Sequence, residues 1–420
     1  MSDLALWHAG AIWAIALVSI ALILIHPKDL PEAVWAVLGA GLLIVCRLVT
    51  VHDAVLAVNK GLDVYLFLAG MMIMSELARR EGVFDWLATH AVKAARGSRR
   101  RLFLLVYGVG TVVTVFLSND ATAVVLTPAV QAAVKAASVE PLPFLLICAF
   151  VANAASFVLP ISNPANLVVY GKTLPRLGNW LATFALASVA SIALTCLTLR
   201  WLSRKLLAGE MTNRLPQRPL TPSGLVTFGG IGFLAVVLLT ASAVGKDLGA
   251  PTCLAGLLVA AAVTFRDSGV PRDIIKEVPW SVIPLVAALF VIVAGINRAG
   301  ALPAAVSALQ TMKSWPAVRA ALCAAFSVAA LSNVLNNLPS GLIAGSAIAT
   351  AGITGKLRDA VLVGVDLGPN LSVSGSLATI LWLLAVRREG QRVSFWQFLK
   401  WGAMVMPPAL LAAVLALMVH

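Results

Sequence analysis

Charge is what this sequence has least of. Only 12% of its 420 residues are Asp, Glu, Lys or Arg, against 60% that are hydrophobic. So small a charged fraction cannot coat a water-soluble globule of this length, which excludes that class. Histidine is nearly missing. His8, His26, His52, His90 and His420 all fall at predicted segment ends or interfaces, leaving no buried imidazole as a general base. Cys46, Cys148, Cys196, Cys253 and Cys323 stand singly in apolar sequence, with no Cys-x-x-Cys pair. That pattern argues against a disulfide framework and a zinc site and leaves them as small packing residues. A Gly-x-x-x-x-Gly-Lys phosphate loop is also lacking, so ATP hydrolysis by that route is excluded. No enzyme, cofactor or metal is expected.

What is present is apolar sequence in long runs. Stretches such as 9–25 and 226–244 are long enough, or nearly so, to cross a hydrocarbon core about 30 Å thick. The first has neither a basic region before it nor an Ala-x-Ala site after it, so it reads as a retained helix. The net charge of +13 would suggest nucleic acid in a soluble protein. Here the basic residues lie in loops between apolar segments, where they set membrane topology, and no nucleic acid is expected. The bilayer is the partner.

Ten crossings and two hairpins can be counted along the chain. In the first half, segments 9–25, 33–49 and 62–77 precede an amphipathic stretch at 84–95. Hairpin arms at 102–117 and 121–136 follow, then a broken helix at 143–170 and a last helix at 180–202. The second half repeats that order with 224–244, 250–265, 280–296, an amphipathic 302–312, arms at 318–331 and 341–353, a broken helix at 357–386 and a final helix at 398–418. The expected fold is an all-α polytopic membrane protein of two inverted repeats of five transmembrane helices. Each repeat carries a re-entrant hairpin and a broken helix. The first repeat spans 1–205 with a cytoplasm-facing hairpin at 101–137, and 206–222 is a basic, Pro-rich cytoplasmic linker. The second spans 223–420 with an outward-facing hairpin at 316–353. An offset of 213 lays Asn153 over Asp366, Asn163 over Ser376 and Asn166 over Thr379.

Arg79, Arg80, Arg99, Arg100, Arg101, Arg200, Arg204, Arg214, Arg218, Arg266, Arg272, Arg387 and Arg388 collect on one predicted side. That side should be the cytoplasm, which puts both termini in the periplasm.

Polar clusters interrupt the apolar runs twice over. Ser118-Asn119-Asp120-Ala121-Thr122 and Asn336-Asn337 mark the hairpin tips. Ser162-Asn163-Pro164-Ala165-Asn166 and Ser374-Gly375-Ser376 mark the helix breaks. Polar side chains at membrane depth are costly and usually line a cavity or an ion path. Amides offer donors and acceptors without charge, so several can replace a hydration shell. The candidate binding residues are therefore Ser118, Asn119, Thr122, Asn163, Asn166, Asn336, Asn337, Ser374 and Ser376. The bland alternative is that Asn and Ser bridge helices as packing glue. Asp120 and Asp366 are the acids least easily assigned to a loop, which makes them candidates for proton coupling. Asp366 has a structural alternative, accepting bonds at its helix break. Glu76 and Asp63 sit nearer predicted helix ends and are expected either to snorkel or to pair with Arg79 or Arg80.

The run from Phe116 to Pro128, the Asn336-Asn337-Leu338-Pro339 motif and the run from Gly364 to Asn370, continued by Gly375-Ser376-Leu377-Ala378-Thr379, resemble the ion transporter superfamily. In particular they resemble its bacterial arsenite/antimonite efflux carriers, across essentially the whole chain. The resemblance implies export of arsenite and antimonite across the inner membrane in exchange for protons, by alternating access. In some systems it implies a soluble arsenite-stimulated ATPase as partner. The first motif also fits sodium/proton antiporters and carboxylate carriers, the alternative reading. Twelve crossings with cytoplasmic ends have been proposed for such carriers, whereas ten with external ends are counted here.

Overall fold

The structure, a computed structural model, describes residues 3–25, 30–211, 219–265 and 276–419. Arg214, Arg218, Arg266, Arg272, His26, His420 and the middle of the linker lie outside the described residues. Among the described residues there are helices and no strand, only an isolated bridge between Ser98 and Glu210. The protein is an all-α polytopic membrane protein of two inverted repeats.

Among the described residues, six helices are each long and apolar enough to cross a membrane. Val51–Lys60 and Leu62–Arg80 together form a seventh, bent by 50° at Gly61. Val51–Lys60 was not foreseen. It is amphipathic, its apolar run is only five residues long (Ala54 to Val58), and it starts where the Thr50 hydroxyl accepts the Asp53 amide at 3.1 Å. The hairpins' first arms, Arg99–Leu117 and Ala317–Leu335, have 19 residues each and start before the apolar sequence does. In the first, Ser98 caps the helix end and draws Arg99, Arg100 and Arg101 into it.

The repeats exchange partners. Glu32–Val45 packs on Val282–Ile296 of the other half, and Gly249–Thr264 packs on Leu62–Arg80. These are the same two positions with the halves swapped. Leu177–Leu202 and Phe395–Val419, the last helix of each repeat, lie against one another. Each hairpin's return arm also reaches across. Residues 119–136 meet Leu377–Arg388, and Asn337–Ala351 meets Pro164–Tyr170.

Without a hydrophobic driving force between helices in lipid, such crossings depend on close backbone approach at small residues. A Cβ added at Gly70 would stand 2.4 Å from the Thr252 carbonyl oxygen, and one at Gly256 would stand 2.8 Å from the Gly70 oxygen. Overpacking of this kind costs about 1–3 kcal/mol or more. Gly70→Val is therefore expected to lower the thermal unfolding midpoint of the detergent-solubilised protein by several degrees. A midpoint equal to wild type would show that this crossing can spread apart.

Connecting segments assigned to one side by sequence meet one another. Arg79 pairs with both Glu76 and Glu277, and Arg99 donates to the carbonyls of Ala208 and Glu210 at 3.1 and 3.0 Å. Gln131 and Lys135 both donate to the Glu389 carbonyl, at 2.8 and 3.1 Å. At the opposite end Arg298 pairs with Asp53 at 2.5 Å. Glu76 thus pairs with Arg79 as expected. Asp63 does not; it accepts the Gly249 amide at 2.6 Å and fixes the start of that helix. It lies at the other end of Leu62–Arg80 from Arg79 and Arg80, out of their reach.

Candidate functional site

Each hairpin turns on a residue that few side chains tolerate. Ser118 has φ 99° and Asn336 has φ 77°, so the chain leaves one helix and re-enters another in a single step. Asn336 supports its turn by accepting the Leu338 amide at 3.4 Å and donating to the Ser374 carbonyl at 3.4 Å. In the first hairpin the return arm opens with a wide π turn, Thr122–Leu126, a distortion frequent at functional sites.

The broken helices match in finer detail. A short 3-10 turn, Pro160–Ser162 or Val373–Gly375, is flanked on both sides by extended residues. Leu159 corresponds to Ser372 and Asn163 to Ser376 at the 213-residue offset read from sequence. Helix then resumes under a side-chain cap. Asn163 Oδ1 accepts the Ala165 amide at 3.0 Å, and Ser376 Oγ accepts the Thr379 amide at 3.1 Å. The hairpin tips correspond at 336 minus 118, or 218; the first repeat spends five more residues between its tip and its break.

All four interruptions line one crevice. Asn119 and Asp120 come from the first tip, Asn337 and Leu338 from the second, Asn163 and Pro164 from the first break, and Leu377 and Ala378 from the second. Leu68 and Val282 complete the wall. Nothing in the sequence distinguishes those two from lipid-facing neighbours.

Four helix starts therefore meet at a common space, and those at Asn119, Asn337 and Leu377 bring main-chain N–H groups without intrahelical partners; the start at Pro164 brings none, since Pro164 has no N–H and Ala165 gives its own to Asn163 Oδ1. The polar side chains there are three amides and one carboxylate. Asn119 Oδ1 and Asn337 Oδ1 are buried with no donor. The Asp120 carboxylate has neither hydrogen bond nor ion pair among the described residues and is the only ionisable group in the lining.

Asp366 lies behind this wall, fully buried. It accepts from Asn163 Nδ2 at 2.9 Å and from Ser156 Oγ at 2.9 Å. The bond between Asn163 and Asp366 has a mirror image, since the corresponding residues Ser376 and Asn153 are joined at 3.4 Å. Asn153 Nδ2 also donates to Asn370 Oδ1 at 3.0 Å, and Asn370 Nδ2 donates to the Phe150 carbonyl at 3.0 Å. Asn153, Ser156 and Asn370 were not singled out as site residues, and this network across the repeats is what they build.

The remaining candidates are engaged in holding the breaks. Asn166 Nδ2 donates to the carbonyls of Ser156, Leu159 and Pro160 at 2.9–3.3 Å. Thr122 bonds Thr114 at 2.8 Å between the hairpin arms. Ser374 Oγ donates to the Asn333 carbonyl and meets Ser372 Oγ, both at 2.9 Å. Ser376 Oγ lies 2.6 Å from Thr379 Oγ1. Ser118 is buried at the tip without lining the crevice. Cys148 is buried, its thiol directed to the Phe144 carbonyl, and no thiol lines the crevice.

Comparison with known proteins gives a family and a fold. The citrate transporter (CitMHS) family profile matches residues 19–386. The arsenical pump membrane protein of Escherichia coli is 26% identical, with 97% of each chain covered. A putative arsenical pump membrane protein of Bacillus subtilis is 23% identical over 91% of this chain and 93% of its own. An uncharacterized transporter of Synechocystis is 24% identical over 94% of both. Among solved structures, the Alcanivorax borkumensis YdaH transporter, described as having an unusual topology, superposes with a TM-score of 0.57. It is 15% identical and covers 87% of this chain and 86% of its own, a likeness of fold.

Proposed function

This chain belongs to the citrate transporter (CitMHS) family of membrane transporters, and from that premise we propose that it exports arsenite and antimonite from the bacterial cytoplasm in exchange for protons. It does so by alternating access across the inner membrane, with both termini in the periplasm, the first hairpin facing the cytoplasm and the second facing outward. The observation that carries this reading is the makeup of the crevice. Two asparagines, whose buried amide oxygens lack donors, and one unpaired carboxylate line a space with no cationic side chain in its wall.

Near neutral pH arsenite is mainly the uncharged trihydroxide, which donates hydrogen bonds from three hydroxyls. Acceptors at Asn119 and Asn337 and main-chain N–H groups at the helix starts suit such a solute at modest desolvation cost. Asp120 takes the coupling role. It shares the space with the cargo, and its charge is costly to hold at that depth unless a proton or a donor meets it. Asp366 is assigned a second, supporting part, since its two donors are already supplied.

A carboxylate cargo is the second reading, favoured by the family's description and by the helix starts at Asn119, Asn337 and Leu377, whose N–H groups attract anions. Uptake by everted vesicles separates the two. Radiolabelled arsenite should accumulate on energisation, collapse on adding an uncoupler, and be unaffected by excess citrate. Citrate accumulation without arsenite accumulation would replace the first reading by the second.

A further inference from the structure

A second cavity lies toward the end of the bundle where Leu62–Arg80 and Gly249–Thr264 begin and Pro164–Tyr170 and Pro222–Ala243 finish. Its wall carries two acids, Asp63 and Asp247, and two amines, Lys172 and Lys246. One Asp63 oxygen is taken by the Gly249 amide. Neither amine has a side-chain hydrogen bond or ion pair among the described residues. Ser242, which also lines the cavity, is only 2% exposed, and its Oγ has no partner. A buried hydroxyl left unpaired in a polar, roomy wall is what a cavity occupied by water or a polar solute requires.

Two helices line both cavities. Asp63 faces the second and Leu68 the crevice; Leu167 faces the second and Pro164 the crevice. At about 1.5 Å of rise per residue, roughly 5–8 Å along the helix axes separates these wall residues.

We propose that this cavity is the vestibule between the crevice and the water at this end of the bundle, with the Ser242 hydroxyl as the innermost polar station of a neutral hydroxylated solute on its way out. This rests on the export reading above and extends it by naming the route. Two acids against two amines make a wetted mouth with no net charge, which neither traps nor repels an uncharged cargo. An anionic cargo would be met there by carboxylates as well as amines.

The test places a thiol in the vestibule. In a parent with all five cysteines replaced by Ala, Ser242→Cys and, separately, Lys246→Cys are treated with a charged, membrane-impermeant methanethiosulfonate in intact cells and in everted vesicles. Both variants should react from the periplasmic face, arsenite should slow the reaction at Ser242→Cys, and modification should cut that variant's arsenite transport at least about tenfold relative to its own untreated sample. Absence of reaction from the periplasmic face at both positions, or modification that leaves transport unchanged, overturns the vestibule. A parent that moves no arsenite sinks the cargo reading instead. The vestibule is then decided by labelling alone.

Discussion

Asp120→Asn is expected to remove concentrative arsenite transport completely while leaving exchange of arsenite across the membrane in place. The substitution keeps the size and shape of the side chain, so the crevice and the helix start at Asn119 persist, and it deletes the only ionisable group in the wall. One charge moving through about 150 mV supplies roughly 3.5 kcal/mol, scaled from ~2.3 kcal/mol per 100 mV. At 1.4 kcal/mol per tenfold, that sustains an accumulation of roughly three hundredfold for a neutral solute. Without a group to carry the proton, the ratio should fall to about one, because binding energy alone moves no solute uphill. Everted vesicles preloaded with unlabelled arsenite and then given labelled arsenite report exchange, and energised empty vesicles report accumulation. The variant should match wild type in the first measurement, and in the second it should match wild type treated with uncoupler. Accumulation by Asp120→Asn at the wild-type level would take the coupling role away from this residue.

Much of the architecture was legible because lipid makes sequence speak plainly. A span must be apolar along its length, so interruptions stand out, and the same order of interruptions in both halves announced the repeat. The 213-residue register is a case in point. It was read from weak identities, yet Leu159 and Ser372, and Asn163 and Ser376, adopt the same extended conformations around the same 3-10 turn. Less was legible where one residue type serves two ends. Asn163 and Asn166 stand one helical turn apart, and sequence gives them equal standing. Asn163 lines the crevice, while Asn166 turns back onto three carbonyls of the break. An amide satisfies either task, and only the path of the preceding backbone decides which it meets.

Apolar wall residues such as Leu68 and Val282 are silent for a related reason. In a chain that is hydrophobic on every face, a side chain turned to a cavity looks like one turned to lipid. The helix Val51–Lys60 escaped for the opposite reason, being too polar and too short to register as a span. Asp63 was misread because its reach was judged along its own helix. Its partner is the amide of Gly249, brought to it by the exchange of partners between repeats.

Asp366→Ala is expected to be the most destabilising single change in this network. Truncation strands one buried donor, Asn163 Nδ2, now 2.9 Å from a carboxylate oxygen, whereas Ser156 Oγ keeps an acceptor in the Asn153 carbonyl at 2.8 Å. A buried donor left without a partner costs about 1–3 kcal/mol, which is the loss expected here before any relaxation. The same cut at the mirror position should be mild. Ser376→Ala gives up a 3.4 Å contact to Asn153, and Asn153 Nδ2 keeps its bond to Asn370; that loss should lie near 0.5–1.5 kcal/mol plus the cost of a weakened cap. Because Asn163 and Asp366 share one bond, the Asn163→Ala and Asp366→Ala double variant should lose less than the two single changes added together. Unfolding midpoints of the four proteins in one detergent measure this directly, and additive losses would show that the bond contributes nothing. Asp366→Asn completes the argument. It keeps an acceptor for one donor and cannot take up a proton, so a variant that stays folded and still accumulates arsenite leaves coupling to Asp120. Exchange that persists while accumulation is lost in both Asp120→Asn and Asp366→Asn would instead make the two acids stations on one proton path, with the Asn163 amide bridging the wall between them.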